Sequence, residues 1–443
     1  MPKKSRAHIL ATWVNGKLAG EWRIPNRGDM EFCYDPTWLE SPEGRPLSLS
    51  LPFTLDKLPI KGSAVQFYFD NLLPDSDAIR QRLQERFRIA SRDAFTLLTA
   101  IGRDCVGAVQ LLPPGETPAI EKIDATPLTD ADVEKHLIGV VSPSLLNVNN
   151  QADFRISIAG AQEKAALLWH EDTWCVPMGA TPTTHIFKLP LGRIGNTQID
   201  MRTSVENEWL CTKILAAYKM PVAACEIATF RSQKTLVVER FDRRLHSSGQ
   251  YWMRLVQEDF CQATATPASR KYEEDGGPGM LDIAEILRGS IQRDEDLAKL
   301  LKAQILFWML AATDGHAKNF SLHILPQGRY KLTPLYDVLS AWPIIGHRSN
   351  QLAWEKAKLA MAVRGQSKHY RLRDIQRRHF NQMASKSGLG ESAEPLIQEI
   401  LETTPDVISR VQRHLPKSFP QDVLDSVLTG LQKSATRLGA MQP

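Results

Sequence analysis

An aspartate and an asparagine stand five positions apart in Thr313-Asp314-Gly315-His316-Ala317-Lys318-Asn319, and a second aspartate follows at Tyr336-Asp337, just past a short segment that reads as a β-strand, Tyr330 to Leu335. Phosphoryl transfer from ATP asks for few protein groups. One carboxylate accepts or orients the attacking hydroxyl, and an amide with a second carboxylate holds Mg2+ on the phosphates. Asp-x4-Asn followed by Asp supplies these groups in the order kinase-like enzymes use them. Asp and Asn are also ordinary turn residues, so the upstream chain must decide between the two readings.

Upstream, Phe154 to Lys164 reads as a strand running into a loop of small residues, Ala159-Gly160-Ala161-Gln162-Glu163-Lys164. Such a loop lets backbone N–H groups approach a triphosphate, although it matches neither common glycine-rich pattern and an ordinary hairpin turn accounts for it as well. Thr184 to Pro190 is a short apolar strand carrying Lys188. That lysine either reaches solvent at a strand end or pairs with the α/β-phosphates. Ser204-Val205-Glu206-Asn207-Glu208-Trp209 opens a helix with Ser204 as the expected N-cap, and Glu208 or Glu206 is placed to orient Lys188. Leu236 to Arg243 is an apolar strand running into charge, where the hinge of a nucleotide kinase falls and offers backbone groups to adenine. Each piece alone has a bland explanation; their order across residues 154 to 337 does not.

Four stretches make the chain resemble the HipA-type bacterial Ser/Thr kinases, the toxin component of HipBA toxin–antitoxin modules. They are Asp70-Asn71-Leu72-Leu73-Pro74-Asp75-Ser76, Ile101 to Val109, Ile158 to Lys164, and Thr313 to Asn319. The resemblance implies an α+β, bilobal kinase-like fold with a mixed α/β N-terminal region and a mainly helical C-terminal lobe. It implies Asp314 as catalytic base, Asn319 and Asp337 as Mg2+ ligands, and ATP as phosphate donor. His316, Ala317, Lys318, Asn319 and Tyr336 would line the nucleotide, Lys188 would hold the α/β-phosphates, and Glu239, Arg240 and Phe241 would meet adenine. Residues Ala159 to Lys164 would form the phosphate loop, and Ser157 an autophosphorylation site that switches the enzyme off. Phosphate added there would repel the nucleotide.

Punctuation divides the chain into an α/β region over 1–112, opening with a hairpin at Asn15-Gly16, then a connector over 113–152. A kinase N-lobe over 153–245 and a mainly helical C-lobe over 246–443 follow, with Thr129 and Asp132 capping a short helix. The glycine-rich run Asp275-Gly276-Gly277-Pro278-Gly279 reads as a loop or a substrate-facing turn. Length 443, 43% hydrophobic and 23% charged, describes an ordinary globular chain. Six scattered cysteines fit reduced thiols rather than a zinc site or disulfide framework. The longest apolar run, Ile305 to Ala312, is too short to cross a bilayer, so a cytoplasmic enzyme without a membrane partner is expected.

A net charge of +4 identifies no nucleic-acid binder by itself. However, Arg364, Lys368, Arg371, Arg373, Arg377, Arg378 and Lys386 crowd one span. A solvated face explains such a run, and so does phosphate-backbone contact. HipA-type proteins bind operator DNA together with a helix-turn-helix, HipB-like antitoxin, and the corresponding stretch here is Ser385 to Gly388. Lys386, Arg377 and Arg378 are therefore the candidate DNA contacts. The family implies a protein substrate, an aminoacyl-tRNA synthetase and typically glutamyl-tRNA synthetase. The alternatives are a non-catalytic corepressor with a kinase-like fold and, against the grain of the long N-terminal half, a small-molecule kinase.

Overall fold

A computed structural model describes residues 8–54, 56–141, 159–160, 162–195 and 197–443. Ser157 and Ala161 lie outside the described residues. The first element pair is the hairpin His8–Val14 and Lys17–Ile24, turned by Asn15 and Gly16, both at positive φ. That is the backbone a two-residue turn needs to match strand twist. Its sheet runs in the order Ile60–Lys61, Glu31–Tyr34, Lys17–Ile24, His8–Val14, Val109–Leu112, with antiparallel pairing throughout. Beneath it Trp22 stacks on Phe69 and meets Phe95 at a tilt, and with the helices Ser63–Asp70 and Ala94–Ile101 these rings form a core of its own.

A second, six-stranded antiparallel sheet has the order Cys225–Phe230, Gln233–Glu239, His185–Lys188, Lys164–His170, Thr173–Pro177, Ala125–Pro127. The connector region takes part in it. Ala125–Pro127 is its edge strand, and the helix Asp130–Val141 covers one face with Val133 and Leu137 fully buried. The Thr129 hydroxyl and the Asp132 carboxylate bond each other's backbone N–H at the start of that helix, as the spacing suggests.

The other face of the sheet meets the helix Ser204–Ala217, buried on every side over its first eight residues. Thr203, not Ser204, is its N-cap; the Ser204 hydroxyl instead accepts the Leu191 N–H at 3.0 Å. Val205, Leu210 and Ile214 belong to the same hydrophobic cluster as the long helices Arg293–Met309, Glu394–Arg413 and Gln421–Ala440. The core therefore runs without a break from the inner face of the six-stranded sheet into the helical lobe.

The end of Arg293–Met309 sets the position of Asp314. Residues Ala303 to Ala312 are buried without exception, so packing fixes this end of the helix. Ala311 then adopts φ 49° and stops it. A Cβ on Gly315 would stand 2.5 Å from the Phe307 ring, so only glycine lets the following turn lie against the helix.

Candidate active site

The strand His185–Lys188 delivers Lys188 to the wall of a cavity of about 340 Å3 between the sheet and the helical lobe. Its ammonium lies 2.5 Å from Glu208 and 2.9 Å from Asp337. Lys188 and Glu208 are both only 5% exposed, so neither charge is solvated. Burial opposes the charge on Lys188, but Asp337 and Glu208 outweigh it and keep the ammonium protonated. Burial likewise opposes ionisation of Asp337, and Lys188 and Lys164 outweigh it, holding the carboxyl well below the usual carboxylate range. Glu206, two residues earlier, points elsewhere and pairs with Lys234. The geometry thus selects Glu208.

Asp337 sits at φ 61°, a left-handed backbone that Asp tolerates better than most residues. Its carbonyl accepts a 3.1 Å hydrogen bond from the Asn319 amide, which ties the two loops together. The donor set of Asn319 and Asp337, one amide and one carboxylate, suits Mg2+, which keeps waters and substrate phosphates as its remaining ligands. Among the described residues no cluster of three His, Cys, Asp or Glu forms an all-protein metal cage.

Asp314 lines the same cavity, with Oδ1 accepting a 2.6 Å hydrogen bond from the Tyr272 hydroxyl. Burial raises its pKa against the opposing hydrogen bond. His316 is kept neutral at ordinary pH, its pKa pushed down to about 3 chiefly by burial. Tyr336 donates to the Lys318 carbonyl at 2.8 Å and faces Phe241, ring centres 5.6 Å apart. With Ile186, Ala223, Val238 and Leu339 these rings make up an apolar part of the cavity lining.

Several expected residues stand elsewhere. Glu163 does not line the cavity; alternation along the chain turns it outward into an ion pair with Arg82, while Gln162 and Lys164 turn in. Ala317 is fully buried and is not a lining residue. Arg240 borders the cavity, but its guanidinium leaves it for a buried cluster with Asp104, Asp242 and Thr183. Lys318 also borders it, yet its ammonium donates to Asn71 at 2.7 Å and lies 3.4 Å from Asp75 and 3.3 Å from Asp259. Arg377 is buried in an ion pair with Glu394, because it begins the helix Arg377–Ser387 on its inward face. Arg378 and Lys386 are exposed.

Sequence reasoning gave no role to Asn71, Asp75, Asp259 and Lys271, which all border the cavity. The Asp75 backbone N–H also donates to the Gly160 carbonyl at 3.1 Å, and its carboxylate meets Lys271 at 2.9 Å. One turn of the N-terminal region therefore braces the Gly160 loop and the Asp314–Asn319 loop together. The second N-terminal stretch grips the strand end after Glu239, with Asp104 bonded by Arg243 at 2.8 Å and the Gly107 N–H donating to Asp242 at 2.7 Å.

A sheet and a helical lobe enclosing a Lys–Glu pair, two aspartates and an asparagine define a bilobal kinase-like fold, here with an additional α/β region welded to both lobes. The chain belongs to the HipA family: the model for the HipA-like C-terminal domain matches residues 156–408 and that for the HipA N-terminal domain residues 10–112. It is 32% identical over 416 residues, covering 91% of each chain, to a Sinorhizobium fredii (strain NBRC 101917 / NGR234) protein provisionally named kinase Y4mE. It is 29% identical over 320 residues, 69% of each chain, to the serine/threonine-protein kinase toxin HipA of Shewanella oneidensis MR-1. In fold it is similar to HipA in the solved complex of HipA, HipB and operator DNA from Shewanella oneidensis MR-1, with a TM-score of 0.78, 22% identity and 98% of each chain covered.

Proposed function

We propose that this chain is an ATP- and Mg2+-dependent serine/threonine protein kinase acting as the toxin of a toxin–antitoxin module. The observation that carries the reading is Lys188, held between Glu208 and Asp337 at the wall of a cavity that Asp314 and Asn319 also line. A charged lysine there meets the phosphates, with Lys164 close by. Phe241 and Tyr336 face the adenine, and the backbone from Glu239 to Phe241 hydrogen-bonds its edge. Asn319 and Asp337 would hold Mg2+, which would supply neutralising charge to the transferring phosphoryl group. Asp314 takes the proton of the acceptor hydroxyl as the new O–P bond forms and the bond to the β-phosphate oxygen breaks.

The same reading makes Ser157 an autophosphorylation site whose phosphate opposes nucleotide binding. It makes a HipB-like helix-turn-helix protein the antitoxin, with operator DNA bound by the complex, and an aminoacyl-tRNA synthetase the substrate, glutamyl-tRNA synthetase foremost. The solved HipA–HipB–operator assembly of a protein of like fold supports the partner assignment. No helix among the described residues is long and apolar enough to cross a membrane.

The test is transfer of labelled phosphate from Mg-ATP, followed by phosphoproteomics after brief induction. The wild-type chain should label a protein target and Ser157, and Asp314→Asn should label neither while keeping its fold. A folded wild-type chain inert toward Mg-ATP, yet still binding operator with its antitoxin, would establish the corepressor reading instead.

A further inference from the structure

The turn from Arg270 to Gly279 lies against the Asp314 loop and has no part in the reading above. It is built to be rigid. The N–H groups of Asp275 and Gly277 both donate to the Tyr272 carbonyl, at 3.1 and 3.0 Å. A Cβ on Gly277 would collide with the Arg270 carbonyl, and one on Gly279 with the Glu273 carboxylate, so the glycines are what allow the chain to fold this tightly. Glu273 is 6% exposed and anchors the turn to a neighbouring strand, accepting from the Ala362 N–H at 2.7 Å and meeting Lys368 at 3.0 Å. Lys271, beside it, is fixed to Asp75.

This frame brings the Tyr272 side chain to Asp314. The Tyr272 hydroxyl donates to Asp314 Oδ1 at 2.6 Å, and the ring meets His316 edge-on at 5.1 Å. Burial, and next the Asp314 charge, keep the phenol protonated, so it acts as a donor and not as a competing base. We propose that Tyr272 is a positioning residue for phosphoryl transfer, its phenol holding one oxygen of the Asp314 carboxylate so that the other meets the acceptor serine or threonine hydroxyl. The inference rests on the kinase reading of Asp314.

The groups acting on Asp314 besides burial are Tyr272, Asp337, Lys271 and Asp75; Tyr272 and Lys271 favour its ionised form, whereas Asp337 and Asp75 oppose it. Removing the phenol leaves burial and the two carboxylates with less opposition. Asp314 then protonates at higher pH, and the acid limb of the rate profile, where the base is lost, must move upward with it.

The experiment compares wild type, Tyr272→Phe and Asp314→Asn in transfer from Mg-ATP to a protein substrate between pH 5 and 9. Tyr272→Phe should lower kcat by about ten- to a hundredfold, leave KM for ATP unchanged and shift the acid limb to higher pH. A Tyr272→Phe protein with wild-type kcat, or with reduced kcat and an unmoved acid limb, would overturn the inference while wild type and Asp314→Asn still uphold the kinase reading. Wild type without transfer, or Asp314→Asn at wild-type rate, would overturn both.

Discussion

The Lys318 ammonium donates at 2.7 Å to the side-chain oxygen of Asn71, a residue 247 positions earlier in the chain. Their chain neighbours belong to different cores, Leu72 to that of the N-terminal region and Ala317 to that of the helical lobe, and the bond is buried between them. Lys318 also carries the compensating charge for Asp75 and Asp259. Lys318→Met should therefore cost about 3–5 kcal/mol, because it strands the buried Asp259 carboxylate and leaves Asp75 to Lys271 alone. Asn71→Ala should cost about 1–3 kcal/mol. Urea unfolding of the two variants checks the order and the size of the effects.

The two glutamates of the Ser204–Ala217 helix have separable roles. Glu208→Gln weakens the grip on Lys188 and should reduce phosphoryl transfer by about ten- to a hundredfold. Glu206 serves Lys234, whose side chain is 42% exposed, so Glu206→Gln should change the rate by no more than about threefold. Initial rates at saturating Mg-ATP decide the matter, and equal losses in both variants would contradict the assignment of Glu208.

Glu258 joins the N-terminal region to the helical lobe, accepting from the Leu49 N–H at 2.8 Å and from the Ser48 hydroxyl. Burial pushes its pKa up from 4.5 to about 8. The folded state then binds the extra proton between those values, so the contribution of Glu258 to stability is fully present below about pH 4.5 and is lost as pH rises toward 8. Glu258→Gln keeps the shape without the titration. Its stability curve should be flatter across that window, with the largest gain over wild type near pH 8, measured by denaturant melts at several pH values.

Operator binding gives the basic span a direct test. Arg378 and Lys386 are exposed, whereas Arg377 is committed to Glu394. Charge reversal of Arg378 and Lys386 in the antitoxin complex should weaken operator binding and lower the slope of log affinity against log salt by about one per lost contact. Arg377→Ala should lower stability and leave that slope alone. An unchanged slope after both reversals would make this a solvated face.

Features set by neighbours in the chain were legible in the sequence, and features set by distant pairing were not. Asn15-Gly16 announces its hairpin because few residues adopt that backbone, and Thr129 with Asp132 announces its cap. The series Lys188, Asp314, Asn319, Asp337 could be read as a set because chemistry, more than packing, dictates the residue types. Glu206 and Glu208 could not be told apart by residue type, since only their rotation about the helix decides which meets Lys188. Arg377 looked like its neighbour Arg378 until the helix placed it inward. The roles of Asn71 and Asp75 depend on a contact spanning most of the chain, and no local pattern marks such a contact.

The bracing of both cavity loops by the turn at Asn71 to Asp75 has a genetic consequence. A selection for chains that no longer arrest growth should recover substitutions at Asn71, Asp75 and Asp104 alongside those at Lys188 and Asp314, although the first three residues come from a region with its own hydrophobic core. To such a screen the first hundred residues would look like part of the kinase, and a fragment lacking them would score as a null allele.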